Sequence, residues 1–139
     1  MSVDSAGMAA RLGIKPGMVV QELGWDEDAD EDLRDAVVDL SGGEMVDEST
    51  DEVADVVLMW WREDDGDLVD ALVDAIGALA DDGVVWLLVP KSGRPGHVEP
   101  GDVTEAAPTA GLSQTSSISA AKDWSGIRLV TPKAARSRR

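Results

Sequence analysis

Two uninterrupted apolar runs constrain this chain more than any other feature. Within Asp55–Trp61, six apolar residues (Val56, Val57, Leu58, Met59, Trp60, Trp61) follow one another, and Val84–Val89 repeats the pattern. Successive side chains on a strand point to opposite faces, so a strand apolar at every position is covered on both sides. Such strands belong to an α/β sheet with helices above and below. Between the two runs lies Asp67–Ala80, where Leu68, Leu72, Ile76 and Leu79 share one helical face and Asp67, Asp70 and Asp74 another.

The rest of the chain extends this alternation. Ala9, Ala10 and Leu12 mark a short helix ending in the turn Gly-Ile-Lys-Pro-Gly. Met18–Leu23 reads as a buried strand closed by Gly24. A helix with Leu33, Val37 and Leu40 inward follows, capped by Asp26 or Asp28 and stopped at Ser41-Gly42-Gly43. Glu44–Asp47 reads as a weak strand. After the second apolar run come a loop at Lys91–Gly101, a short helix at Asp102–Ala110, a polar strand at Leu112–Ser119 and a last strand at Gly126–Thr131. The expected fold is α/β: one three-layer Rossmann-like sandwich with a mostly parallel sheet and an antiparallel C-terminal edge hairpin. Residues 1–17 form a helical lead-in, 18–131 the compact domain, and 132–139 a basic, disordered tail.

Charge divides the chain unevenly. The net charge is −16, yet Glu22–Asp82 carries 23 acids against two bases, Arg34 and Arg62, a net −21. The remainder is weakly positive. An evenly acidic surface would suggest adaptation to high salt; this asymmetry describes one negative face that repels nucleic acid and anionic membrane and attracts a basic protein surface. The absence of Cys excludes a disulfide framework, thiol catalysis and thiolate metal sites, and a single His leaves a transition metal short of ligands. No apolar run reaches the ~20 residues of a membrane helix, and the first residues lack a secretory pattern, so a cytoplasmic protein is expected.

Three segments carry the resemblance to known folds. Leu12-Gly-Ile-Lys-Pro-Gly-Met-Val-Val-Gln-Glu-Leu-Gly24 looks like the first strand and glycine turn of the Rossmann-like methyltransferases. Asp55-Val-Val-Leu-Met is similar to their fourth strand, and Leu79–Pro90 to their fifth with its preceding turn. Through Leu-Gly-Ile-Lys-Pro-Gly, Trp-Trp-Arg-Glu-Asp-Asp-Gly-Asp-Leu-Val-Asp and Ala-Pro-Thr-Ala-Gly-Leu at Ala107–Leu112, nearly the whole chain resembles an actinobacterial family, domain of unknown function 3052. The resemblance implies a fold and no activity. By the methyltransferase pattern, an adenosylmethionine or nucleoside-type ligand would meet Glu22, Gly24 and Asp47. The chain departs from that pattern where Asp26 and Asp28 stand in place of further glycines, and where one strand–helix unit is missing between Asp47 and Asp55.

Three candidate sites follow. At Gly24–Asp32, carboxylates crowd a helix start and would repel a dinucleotide pyrophosphate. The same acids fail the calcium-loop template: counted from Asp26, the glycine position holds Glu31 and the final glutamate position Val37. The segment Trp60-Trp61-Arg62-Glu63-Asp64-Asp65 leaves the end of a central strand, where open α/β sheets bind ligands. Alternation puts Trp60 and Trp61 on opposite faces, and Arg62, nearly alone among acids, reads as an ion-pair partner. The loop Lys91–His97 could seat an anion, but no nucleophile elbow accompanies its histidine. No catalytic residue, metal or resident cofactor is expected. The residues point to a non-catalytic interaction or regulatory module contacting a basic partner through Trp25, Asp26, Asp28, Trp60, Trp61, Arg62, Asp64 and Asp65. The alternative is an adenosylmethionine- or nucleoside-binding protein. Whether the crevice beyond Gly24 is open, or filled by Trp25 and Trp61, separates the two.

Overall fold

Both apolar runs become inner strands of one five-stranded sheet. In the computed structural model, which describes residues 5–131 apart from 48, 50 and 51, the elements are α1 (Ser5–Arg11), β1 (Val20–Leu23), α2 (Glu31–Ser41), β2 (Ala54–Trp60), a 3-10 turn (Glu63–Asp65), α3 (Leu68–Ile76), β3 (Leu79–Pro90), α4 (Pro100–Thr109), β4 (Ser113–Ser119) and β5 (Trp124–Val130). The strand order is β1-β2-β3-β5-β4. β1, β2 and β3 are parallel, with Val20 opposite Val56 and Val56 opposite Val84. β5 runs antiparallel between β3 and β4, so the C-terminal hairpin forms one edge, as its short connection requires.

Alternation along β2 builds two cores. Val56, Leu58 and Trp60 face α1 and α2, where they meet Ala9, Leu12, Leu33 and Val37. Val57, Met59 and Trp61 face α3 and α4, against Leu72, Ala75, Val103 and Ala107. The N-terminal helix thus forms part of the first core's wall. With no Phe or Tyr available, tryptophan supplies the aromatic packing. Trp60 and Trp124 meet edge to face, 4.8 Å between centroids, and the Trp86 indole donates to the Leu12 carbonyl at 2.8 Å.

Several boundaries differ from the sequence expectation, for local reasons. The cap of α2 is Asp30, whose Oδ1 accepts from the Leu33 amide at 2.8 Å; Asp26 instead closes a turn with Ala29, and Asp28 is engaged by Arg62. Helix α3, capped by Asp67, ends at Ile76, four residues before Ala80. Leu79 already pairs with Ala54, and β3 then passes an irregularity where Leu79 folds over Gly83; a Cβ there would lie 2.6 Å from Leu79 Cδ1. The weak strand at Glu44–Asp47 is reduced to one bridge, Val46 opposite Gln21. The basic tail at 132–139 lies outside the described residues.

The two classes of apolar residue differ in what they contribute. Leu87 is fully buried, and Leu87→Ala is expected to cost ~2–5 kcal/mol through lost transfer energy and a cavity. Val73 is 51% exposed, and Val73→Ala is expected to change stability by under ~0.5 kcal/mol. Urea denaturation of both variants measures the difference, and similar midpoints would contradict this placement of the core.

Candidate functional site

Parallel strands deliver the ends of β1 and β2 side by side, and the chain there opens into a crevice of about 670 Å³. Leu23, Met59, Trp61 and Ala71 of α3 give it an apolar lining, and Asp26, Asp47, Asp65 and Asp74 add carboxylates. The crevice beyond Gly24 is therefore open. Trp61 and Trp25 line it without filling it, Trp25 49% exposed. Among the described residues, Trp61 is the one tryptophan whose indole N–H has no partner.

The two bases of the acidic span are both engaged at this end. Arg34, on α2, donates to both oxygens of Glu22 at 2.5 and 2.7 Å and to Glu31 at 2.7 Å, and its guanidinium lies 5.4 Å from the Trp25 ring centroid. The hydrogen bond from Arg34 to Glu22, more than any other contact, keeps Arg34 firmly protonated. Glu22 also accepts the Trp60 indole N–H at 2.9 Å. Glu22 is thus a bonded, 10% exposed carboxylate, and a ligand hydroxyl there would compete with three existing donors.

Arg62 is held more tightly still, its side chain 12% exposed. It donates to the Gly24 carbonyl at 2.6 Å, to both Asp28 oxygens, and to Asp65 at 3.3 Å, and it lies 5.2 Å from the Trp124 ring centroid. Burial opposes its charge, and Asp28 with Asp65 more than restores it. The same hydrogen bonds hold the Asp28 carboxyl below the usual aspartate range. Arg62 acts as an ion-pair clasp.

Gly24 is needed for a reason internal to the chain. Its φ is +74°, and a Cβ would lie 2.2 Å from the Trp60 carbonyl oxygen. Close passage over the end of β2 demands glycine before any ligand does. Asp47 closes a turn, its Oδ1 accepting from the Ser49 amide at 2.9 Å and hydroxyl at 2.6 Å; the hydroxyl bond chiefly lowers its pKa.

The crevice brings together Glu22, Gly24, Trp25, Asp26, Asp47, Trp60, Trp61, Arg62 and Asp65. Asp28 lies outside its lining, bonded to Arg62, and so does the exposed Asp64 in the 3-10 turn. Sequence reasoning missed Leu23, Met59, Ala71 and Asp74. The available signal was the polar stripe of α3, whose Asp74 borders the crevice. Among the described residues, no cluster of three or more His, Cys, Asp or Glu is arranged to hold a metal.

The family model described as "Protein of unknown function (DUF3052)" matches residues 9–133. The chain belongs to the DUF3052 family. Relatives named uncharacterized proteins in Mycobacterium tuberculosis and Mycobacterium bovis are 56% identical over 135 residues, covering 97% of this chain and 85% of theirs. Among solved structures, this DUF3052 chain resembles a SAM-dependent methyltransferase from Aquifex aeolicus, with a TM-score of 0.63, 14% identity, and coverage of 91% and 88% of the two chains. A glycopeptide N-methyltransferase gives a TM-score of 0.59 at 14% identity, covering 94% and 91%. At such identity the likeness shows a Rossmann-like fold. The family description and the named relatives assign no activity. No helix of the described residues is long and apolar enough to cross a membrane.

The clasp has a defined pH signature. Because Asp28 has a lowered pKa in the folded chain, its contribution is complete above the unfolded value of ~3.9 and fades as pH falls through the lower folded value. Asp28→Asn should therefore be less stable than the parent at neutral pH. The two unfolding free energies should converge as pH falls through that folded pKa, as followed by urea titrations. A gap independent of pH would rule out the charged clasp as its source.

Proposed function

We propose that this DUF3052 protein is a non-catalytic, cytoplasmic binding module that receives a basic protein partner at the crevice formed by the ends of β1 and β2. One observation carries the reading: the crevice is open and lined by Asp26, Asp47 and Asp74, which form no ion pair among the described residues, while both nearby arginines are taken up by other acids, Glu22, Glu31, Asp28 and Asp65. A lysine or arginine side chain suits such a site, with its stem over Trp61 and Met59 and its charge at the carboxylates. Rim charges of this kind chiefly raise association rates and make binding sensitive to salt.

Location is separable from net charge. Asp26→Asn/Asp47→Asn/Asp74→Asn removes three charges at the crevice, and Asp32→Asn/Asp35→Asn/Asp39→Asn removes three from the exposed face of α2. With a labelled peptide of alternating lysine and alanine at low salt, the first variant should lose about tenfold in affinity and the second about threefold or less. Equal losses would reduce the interaction to general attraction and sink the reading.

A second reading is supported by the size and position of the crevice. Its volume lies within the ~300–1,000 Å³ of small-molecule sites, and it stands beyond the carboxyl ends of parallel strands, where open sheets bind ligands. Glu22, Gly24 and Asp47 would then hold a nucleoside-type ligand such as adenosylmethionine. At 100 times its dissociation constant, that ligand should stabilise the fold by ~2.7 kcal/mol. A thermal melt unmoved by saturating adenosylmethionine and adenosylhomocysteine would eliminate this reading and leave the first standing.

A further inference from the structure

The far edge of the sheet is β4, Ser113–Ser119, with the sequence Ser-Gln-Thr-Ser-Ser-Ile-Ser and most of its residues exposed. Its ladder partner is β5 on one side, and no described strand lies on the other. Sheet edges of this length ordinarily carry a lysine, a proline or an inward charge that prevents another strand from adding. None of these seven residues is charged or proline; a bulge between Gln114 and Ser116 is the one protective irregularity.

Beside this edge lies a second cavity, about 160 Å³, between β4 and α4. Val89, Val98, Val103 and Ile127 give it apolar walls, and the exposed Gln114 and Ser117 border it from β4. Its volume is below the ~300 Å³ at which small-molecule sites begin; no carboxylate or ammonium lines it, and its one titratable lining residue, His97, has Nδ1 2.9 Å from the Pro90 carbonyl oxygen. It has room for a single aliphatic side chain.

We propose that β4 and this cavity form a docking edge for an extended, uncharged segment of another protein, which adds as a sixth strand and inserts one aliphatic side chain between β4 and α4. Main-chain hydrogen bonds supply the attachment, and the cavity supplies selectivity. The charge distribution matches an uncharged occupant. Residues 83–131 hold four acids and four bases, while the net −21 span runs from the end of β1 through α2, β2 and α3 to the first residues of β3. The strand of that span nearest to β4 is β3, two strand spacings away, ~10 Å, against a screening length of ~8 Å at physiological salt.

A second copy of this chain fits less well. Ile118 packs toward the α1–α2 core, so alternation leaves Ser117 and Ser119, with Gln114, on the side facing α4. A copy pairing through its own β4 brings no aliphatic group to the cavity. This surface is separate from the acid-lined crevice and does not depend on what binds there.

The probe is a capped heptapeptide of alternating threonine and valine with leucine at its centre, compared with the same peptide carrying a central aspartate. Amide hydrogen exchange across residues 113–119 of the full-length protein is the readout, with sedimentation to follow self-association. The leucine peptide should slow alternate β4 amides by ~tenfold or more and the aspartate peptide by under ~twofold. Ser117→Lys, an exposed change whose urea midpoint should match the parent, should abolish the effect. The proposal is overturned by unchanged exchange, by equal protection from both peptides, or by β4 amides already protected through a concentration-dependent dimer.

Discussion

The hydrogen bonds of one guanidinium, that of Arg62, organise the end of the molecule that bears the crevice. Three segments converge on it: the loop after β1 through Gly24 and Asp28, the turn after β2 through Asp65, and the start of β5 through Trp124, while the β3–α4 loop passes the stem of the same side chain at Gly96. An exposed ion pair contributes under ~1 kcal/mol. Arg62 differs because it is mostly buried and bonds in fork geometry to a carboxylate and a carbonyl together. A lysine presents a single ammonium and cannot span those acceptors. The loop that walls the crevice is thereby tied to the exit of β2 and the start of β5.

Arg62 and Arg34 also organise the electrostatics of the acidic span. They pair with Glu22, Glu31, Asp28 and Asp65, and neither forms an ion pair with Asp26, Asp47 or Asp74 in the crevice lining. The fold tolerates that excess because its two apolar layers are continuous and both are anchored on β2. Self-repulsion of like charges opposes compaction, so packing, more than any surface pair, must maintain this half of the molecule. The likeness to solved methyltransferases shows a Rossmann-like sheet; in this chain the crevice end of that sheet is lined with carboxylates and ringed by internal hydrogen bonds.

How far the sequence could be read depended on whether each signal was local. Runs of six apolar residues announce β2 and β3, since a strand covered on both faces has no polar positions to interrupt it. The C-terminal hairpin was legible from its short connection. The cap at Asp30 was not, because Asp26 and Asp28 satisfy the same local rule and are removed from it by a turn and by a partner far along the chain. Site residues on strand ends could be named because parallel pairing juxtaposes those ends automatically. The pairing of Glu22 with Arg34 and the approach of Gly24 to Trp60 escaped notice, being contacts that only the folded backbone creates. A glycine at that turn suggests ligand approach; the carbonyl of Trp60 accounts for it first.

The all-tryptophan aromatic complement makes the molecule its own optical reporter. With no tyrosine or phenylalanine in the chain, near-ultraviolet absorption, circular dichroism and intrinsic emission all come from five indoles in distinct settings. The edge-to-face pair Trp60–Trp124 is close enough for excitonic coupling, so the dichroism of that pair reports whether the β2 exit and the start of β5 remain docked. Trp25 emits from solvent and Trp61 from the crevice lining. Because Trp60 belongs both to that pair and to the crevice lining, the docking of β5 and the state of the crevice are read from one linked set of indoles in the unlabelled protein.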